Sequence, residues 1–279
     1  MLKKKPLLVV FMIYLLCFVF RLFEYFILRT DKTFIGEAVL HKIIGIIILC
    51  IVIKFFSLKA EEIGYSKDNI LRNLLKGFTF GISMFIIAYT VEIMIAISQG
   101  KFCSLQIYVS TYAVDRNVGY QTAAVFFVIC ILGNIINVIM EEGIFRGLFC
   151  KILQNKYSFV VSAIIASTLF GLWHVVGPVR NYYDGISSMG GAIANVIMLV
   201  VTSGLVGFKF ALLTKMTGNL YMAIGDHFVN NTIVNVLHVV SDTGADELMF
   251  VRLVIAQTLS CVSVLIYYLR ISRPKIKEA

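Results

Sequence analysis

Two adjacent carboxylates and an arginine, Glu141, Glu142 and Arg146, interrupt a run that is otherwise almost wholly apolar from Thr122 to Leu153. In hydrocarbon a charged side chain costs on the order of a few kcal/mol, so it must be paired, hydrated or in use. Glu142 and Arg146 are four apart; on a helix they share a face, where they neutralise each other and support the structure. Glu141 is turned about 100° from that face and is left to face a polar cavity. Later the chain supplies His174, then His227 and Asn231, again within apolar segments. A carboxylate, two imidazoles and an amide are the groups required to activate a water and hold an oxyanion. The set contains no serine or cysteine with a neighbouring base, which favours direct attack by water over an acyl-enzyme.

These residues need elements to carry them, and composition says what those elements are. The 279 residues are 59% hydrophobic and 15% charged, with a mean hydropathy of +0.89. A soluble domain averages roughly 45–50% apolar and 25% charged. The fold class expected is therefore an all-α polytopic membrane protein; three prolines and long apolar runs argue against a barrel. The net charge of +9 reads as a positive-inside bias rather than as nucleic-acid binding. The six cysteines form no framework and read as small core residues, with Cys103 alone in a loop. Lys3-Lys4-Lys5 before an apolar stretch resembles a signal peptide, but Arg21, Phe23 and Tyr25 follow in place of a cleavage site, so an uncleaved first span is expected.

Eight spans are expected, at roughly 7–28, 38–56, 77–98, 121–153, 158–177, 191–213, 218–240 and 249–269. With the N-terminus inside, sixteen Lys and Arg fall on inner segments and seven on outer ones, Arg116 among the outer and Arg273, Lys275 and Lys277 among the inner. That places both termini in the cytoplasm. Residues 57–76 read as an amphipathic surface helix, or else as a solvated linker. The fourth run is too long for one straight span: either it tilts or it breaks, and Gly133 is the expected place for a break. Glu141 lies 15 residues before Lys156 and His174 lies 18 after it. In an antiparallel hairpin both then sit about 22–27 Å from the turn, and His227 and Asn231 reach a comparable depth on the seventh helix. His41 and His238 read as structural histidines, Glu92 and Asp226 as partners of polar neighbours across helices, and Arg21 and Glu24 as satisfying each other.

Glu141-Glu142-x-x-x-Arg146, Phe170-x-x-x-His174 and His227-x-x-x-Asn231 follow one another on three buried helices. In this order they resemble the CPBP or Abi family of intramembrane proteases, which includes the type II CAAX prenyl endopeptidases. The resemblance covers about residues 121–240, expected as the catalytic core of a single membrane domain, 1–279. It implies that Glu141 activates water, that His174 helps to hold it, and that His227 and Asn231 stabilise the oxyanion, with Glu142, Arg146 and Phe170 in support. It implies a peptide or protein substrate at the membrane, CAAX-like in the best-known cases, with the lipid bilayer as surroundings and no nucleic acid. The expected location is a bacterial plasma membrane. No cofactor is expected; the rival chemistry is zinc, which would make Glu141, His174 and His227 ligands. Two other classes fit the buried charges: a transporter or channel, and a non-catalytic peptide-binding or bacteriocin-immunity protein.

Overall fold

The computed structural model describes residues 2–110 and 119–272; Arg116, Arg273, Lys275 and Lys277 lie outside the described residues. The helices are α1 (Pro6–Phe23), α2 (Leu40–Phe55), α3 (Ile70–Ser98), α4 (Ala124–Glu141), α5 (Cys150–Leu153), α6 (Phe159–Trp173), α7 (Val176–Tyr183), α8 (Met189–Thr217), α9 (Tyr221–Val236) and α10 (Met249–Ser272). Two short strands, β1 (Cys103–Ile107) and β2 (Leu237–Ser241), pair antiparallel, Cys103 opposite Ser241 and Ile107 opposite Leu237.

Among the described residues six stretches are long and apolar enough to cross a membrane: Pro6–Lys32, Ile70–Ser98, Ala124–Leu153, Phe159–Tyr183, Met189–Thr217 and Met249–Ser272. The other two expected spans are α2 and α9, of 16 residues each, shorter than a full crossing of about 20. The polarity of the bundle is that of a protein dissolved in lipid. Phe55, Met94 and Ile197 are more than half exposed, while Glu142, Arg146, His227 and Asp226 are buried. The chain is an all-α integral membrane protein.

Close backbone approach and buried ion pairs hold the helices together, since lipid supplies no hydrophobic drive between them. Gly77 and Gly225 face each other where α3 crosses α9; a Cβ on Gly225 would stand 2.6 Å from the Leu74 carbonyl. Lys209 of α8 pairs with Asp226 of α9 at 2.7 Å and donates to Ser260 of α10 at 3.2 Å. Arg252 of α10 pairs with Glu92 of α3 at 2.6 Å. Glu92 and Asp226 are thus paired across helices as expected, and His238 is structural, bonded to Asp246 at 3.2 Å.

Three expectations are corrected. The fourth run does not break at Gly133, which is helical; a Cβ there would collide with the Glu37 carboxylate, so glycine admits that side chain. The irregularity lies further on, at Glu142–Phe149, where the helix widens to i→i+5 bonding. Residues 57–76 do not form one surface helix: a short 3₁₀ turn, Ala60–Ile63, is followed by left-handed Gly64 and Asn69, and 70–76 are the first turns of α3. Arg21 and Glu24 are bridged rather than paired. Glu24 meets His41 Nδ1 at 2.6 Å, and Arg21 donates to His41 Nε2 at 3.3 Å.

Candidate active site

Asn134, Asn137 and Glu141 recur on one face of α4, His227, Asn231 and Asn235 on one face of α9, and His174 ends α6. Together they line a cavity of about 110 Å³, which also meets Arg21, Tyr25, Asp31, Glu37, Lys42 and Arg180. All four residues expected to do chemistry, Glu141, His174, His227 and Asn231, border this space.

Glu141 accepts from Trp173 Nε1 at 3.1 Å through Oε1 and from Asn137 Nδ2 at 3.2 Å through Oε2. His227 Nε2 stands 3.5 Å from the same Oε2. On its other side His227 Nδ1 meets Glu142 Oε1 at 2.7 Å. A carboxylate accepts, so Nδ1 carries the proton and Nε2 is turned toward Glu141. The same logic applies to His174: its Nδ1 donates to the Phe170 carbonyl at 2.8 Å, leaving Nε2 as the acceptor. Both imidazoles are therefore fixed through Nδ1.

Glu142 and Arg146 form the expected i,i+4 ion pair, 3.3 Å apart, and each side chain is 1% exposed or less. The Arg146 guanidinium lies 3.9 Å from the Phe170 ring centre and 5.2 Å from that of Phe210, and Nε donates to the Gly207 carbonyl at 3.2 Å. Phe210 in turn stacks on His227 at 4.7 Å. Phe170 thus touches both the cation and the His174 backbone bond, which is a supporting position.

Ion pairs border the cavity: Arg180 meets Asp31 at 3.0 Å and Lys42 meets Glu37 at 2.7 Å. Beside it, Arg29 joins Asp31 at 3.1 Å to Asp184 at 2.7 Å. The Arg29 hydrogen bond holds the Asp184 carboxyl below its usual range. A second cavity, of about 300 Å³, adjoins the first and shares Asp31, Glu37 and Asn235 with it. Among the described residues no group of three His, Cys, Asp or Glu is placed to ligate a metal. The donors Glu141, His174 and His227 do not close into such a set.

Sequence reasoning missed Trp173 and Asn137, the two donors to Glu141. Both were visible: Trp173 precedes His174, and Asn137 lies one helical turn before Glu141. It also missed the charged residues that border the cavity beside them: Asp31 and Glu37 from the α1–α2 connection, Lys42 from α2 and Arg180 from α7.

A helical membrane bundle enclosing a polar cavity suits an intramembrane peptidase, and the comparison with known families points the same way. Residues 123–233 match the family model for Rce1-like type II CAAX prenyl endopeptidases. The matched stretch contains Glu141, Arg146, His174, His227 and Asn231. No curated protein matches the chain.

Proposed function

We propose that this chain is an intramembrane endopeptidase that hydrolyses a peptide bond by direct attack of water. The observation that carries the reading is the convergence of Glu141, His174, His227 and Asn231 on one cavity, with His227 Nε2 3.5 Å from the Glu141 carboxylate. Glu141 accepts the proton of the attacking water while the His174 Nε2 lone pair holds that water in place. As the carbonyl carbon becomes tetrahedral, charge develops on its oxygen. The Asn231 amide, and His227 when Nε2 is protonated, donate to that oxygen. Glu141 then returns its proton to the leaving amine. The substrate is a membrane-associated, CAAX-like peptide or protein that reaches the cavity through the adjoining 300 Å³ space.

Peptide cleavage by the purified protein, beside its variants, tests the reading. Glu141→Gln keeps the shape but cannot take a proton, so cleavage should fall by at least about a hundredfold. Asn231→Ala should lose about 10²–10³ in kcat with KM less affected. Exhaustive chelation should leave wild-type cleavage intact. Loss with chelator and recovery with stoichiometric zinc would replace the glutamic mechanism by a metal one. Unchanged cleavage by Glu141→Gln would remove the site.

A further inference from the structure

Three cations line the catalytic cavity, Arg21, Lys42 and Arg180. Lys42 is matched by Glu37 at 2.7 Å and Arg180 by Asp31 at 3.0 Å. Arg21 differs from both. Among the described residues its hydrogen-bond partners are neutral: His41 Nε2 at 3.3 Å and Tyr25 Oη at 3.4 Å. Its Nε has no partner, although the residue is only 5% exposed. The nearest acid in sequence, Glu24, is already occupied by the His41 imidazole and by the backbone N–H groups of Leu40 and His41. A buried guanidinium with no carboxylate hydrogen-bonded to it and with an orphan N–H is unfavourable unless an anion completes it.

The side chain is held as an anion receptor would be. Its Cζ lies 4.6 Å from the Trp173 ring centre and 5.0 Å from that of Tyr25, which fixes the guanidinium and leaves Nε as the N–H still without an acceptor. Trp173 also donates to Glu141 at 3.1 Å, so a single indole separates this cation from the catalytic carboxylate. We infer that Arg21 is a carboxylate-binding subsite, which takes a carboxylate of the peptide substrate close to the bond being cleaved. At roughly 3.3–3.6 Å per extended residue, that carboxylate falls within about three residues of the scissile bond. Two groups have this chemistry, the C-terminal carboxylate and an Asp or Glu side chain. The inference rests on the peptidase reading but is tested apart from it.

Three versions of one CAAX-type peptide serve as probes: the free acid, the C-terminal amide, and the amide with Glu placed within three residues after the cysteine. Binding is measured on Glu141→Gln protein with and without Arg21→Gln, so that no cleavage is needed. The free acid should bind at least about tenfold more tightly than the plain amide, the usual worth of a charged hydrogen bond. Arg21→Gln should abolish that preference and Arg21→Lys should keep part of it. Rescue of the amide by Glu assigns the subsite to acidic side chains as well; no rescue assigns it to the chain terminus. An acid preference that survives Arg21→Gln overturns the inference. So does equal weakening of all three peptides, which would make Arg21 a counter-charge for Glu141, and so does the absence of binding by any of them. Failure of the wild-type protein to cleave a peptide that binds with Arg21-dependent acid preference would count against the peptidase reading alone.

Discussion

Glu142 has two partners, and a pair of variants separates their contributions. Its Oε1 accepts from His227 Nδ1 at 2.7 Å and lies 3.3 Å from the Arg146 guanidinium. The three side chains are 0%, 5% and 1% exposed, so solvent screening discounts neither interaction. Glu142→Gln leaves Arg146 buried without its counter-charge, a loss of about 3–5 kcal/mol for a broken buried pair. The lower end applies here, because Arg146 keeps the Gly207 carbonyl and the faces of Phe170 and Phe210. Against a total stability of roughly 5–15 kcal/mol this is large, and a thermal melt in detergent should show it as a drop on the order of 10 °C. The double variant Glu142→Gln, Arg146→Met removes both charges and keeps the bulk, so most of the stability should return. Activity should not. The proton on His227 Nδ1 is no longer pinned by an anion, and a wrong tautomer in an analogous arrangement costs about 10²–10⁴ in kcat. A double variant that regains activity along with its melting temperature would show that Glu142 acts through the ion pair alone. A single variant with wild-type stability would refute the energetic argument itself.

The Arg29–Asp184 bridge beside the cavity should stop mattering only in acid. Because the Asp184 carboxyl is held below its usual value, the bridge contributes stability fully above the unfolded value of about 3.9, and that contribution is lost as pH falls through the folded value. The melting temperatures of wild type and Asp184→Asn should differ from pH 8 down to 5 and converge below about pH 4; an equal gap at pH 3 would contradict this. The topology expected from the charge bias, with both termini cytoplasmic, predicts that reporter fusions at Glu247 and at the C-terminus report opposite sides, and agreement between them would overturn it.

The fold class was legible because lipid imposes helices and the chain is too apolar for any other solvent. The grouping of Glu141, His174, His227 and Asn231 was legible for a related reason: polar residues in apolar helices are few, and the 1.5 Å rise ranks them by depth. What stayed hidden involved partners chosen in three dimensions. Arg21 and Glu24 sit three apart and read as a pair, yet His41 from the next helix inserts between them. Gly133 read as a weak point because glycine commonly breaks helices, whereas here it is a notch for Glu37. Glu142 read only as half of an ion pair, since nothing local to it announces an imidazole 85 residues away.

The widened turn at Glu142–Phe149 has a consequence for insertions and deletions. Such a bulge is, in effect, one residue more than a regular helix would use over the same rise. Remove one residue there, for example Gly143, and the backbone can settle into ordinary i→i+4 bonding with no loss of helix. A deletion from a regular helix turns everything after it by about 100°, but here the surplus residue absorbs that turn, and α5 keeps nearly its present azimuth. Arg146 would stay near the slot between Phe170 and Phe210, and Phe145 near the ring of aromatics around Trp173, whereas a second deletion would carry both away. That second change would spare hydropathy and the Glu-Glu dipeptide, and would still dismantle the wall behind His227. In this protein the spacing within the motif is therefore a matter of azimuth as much as of sequence.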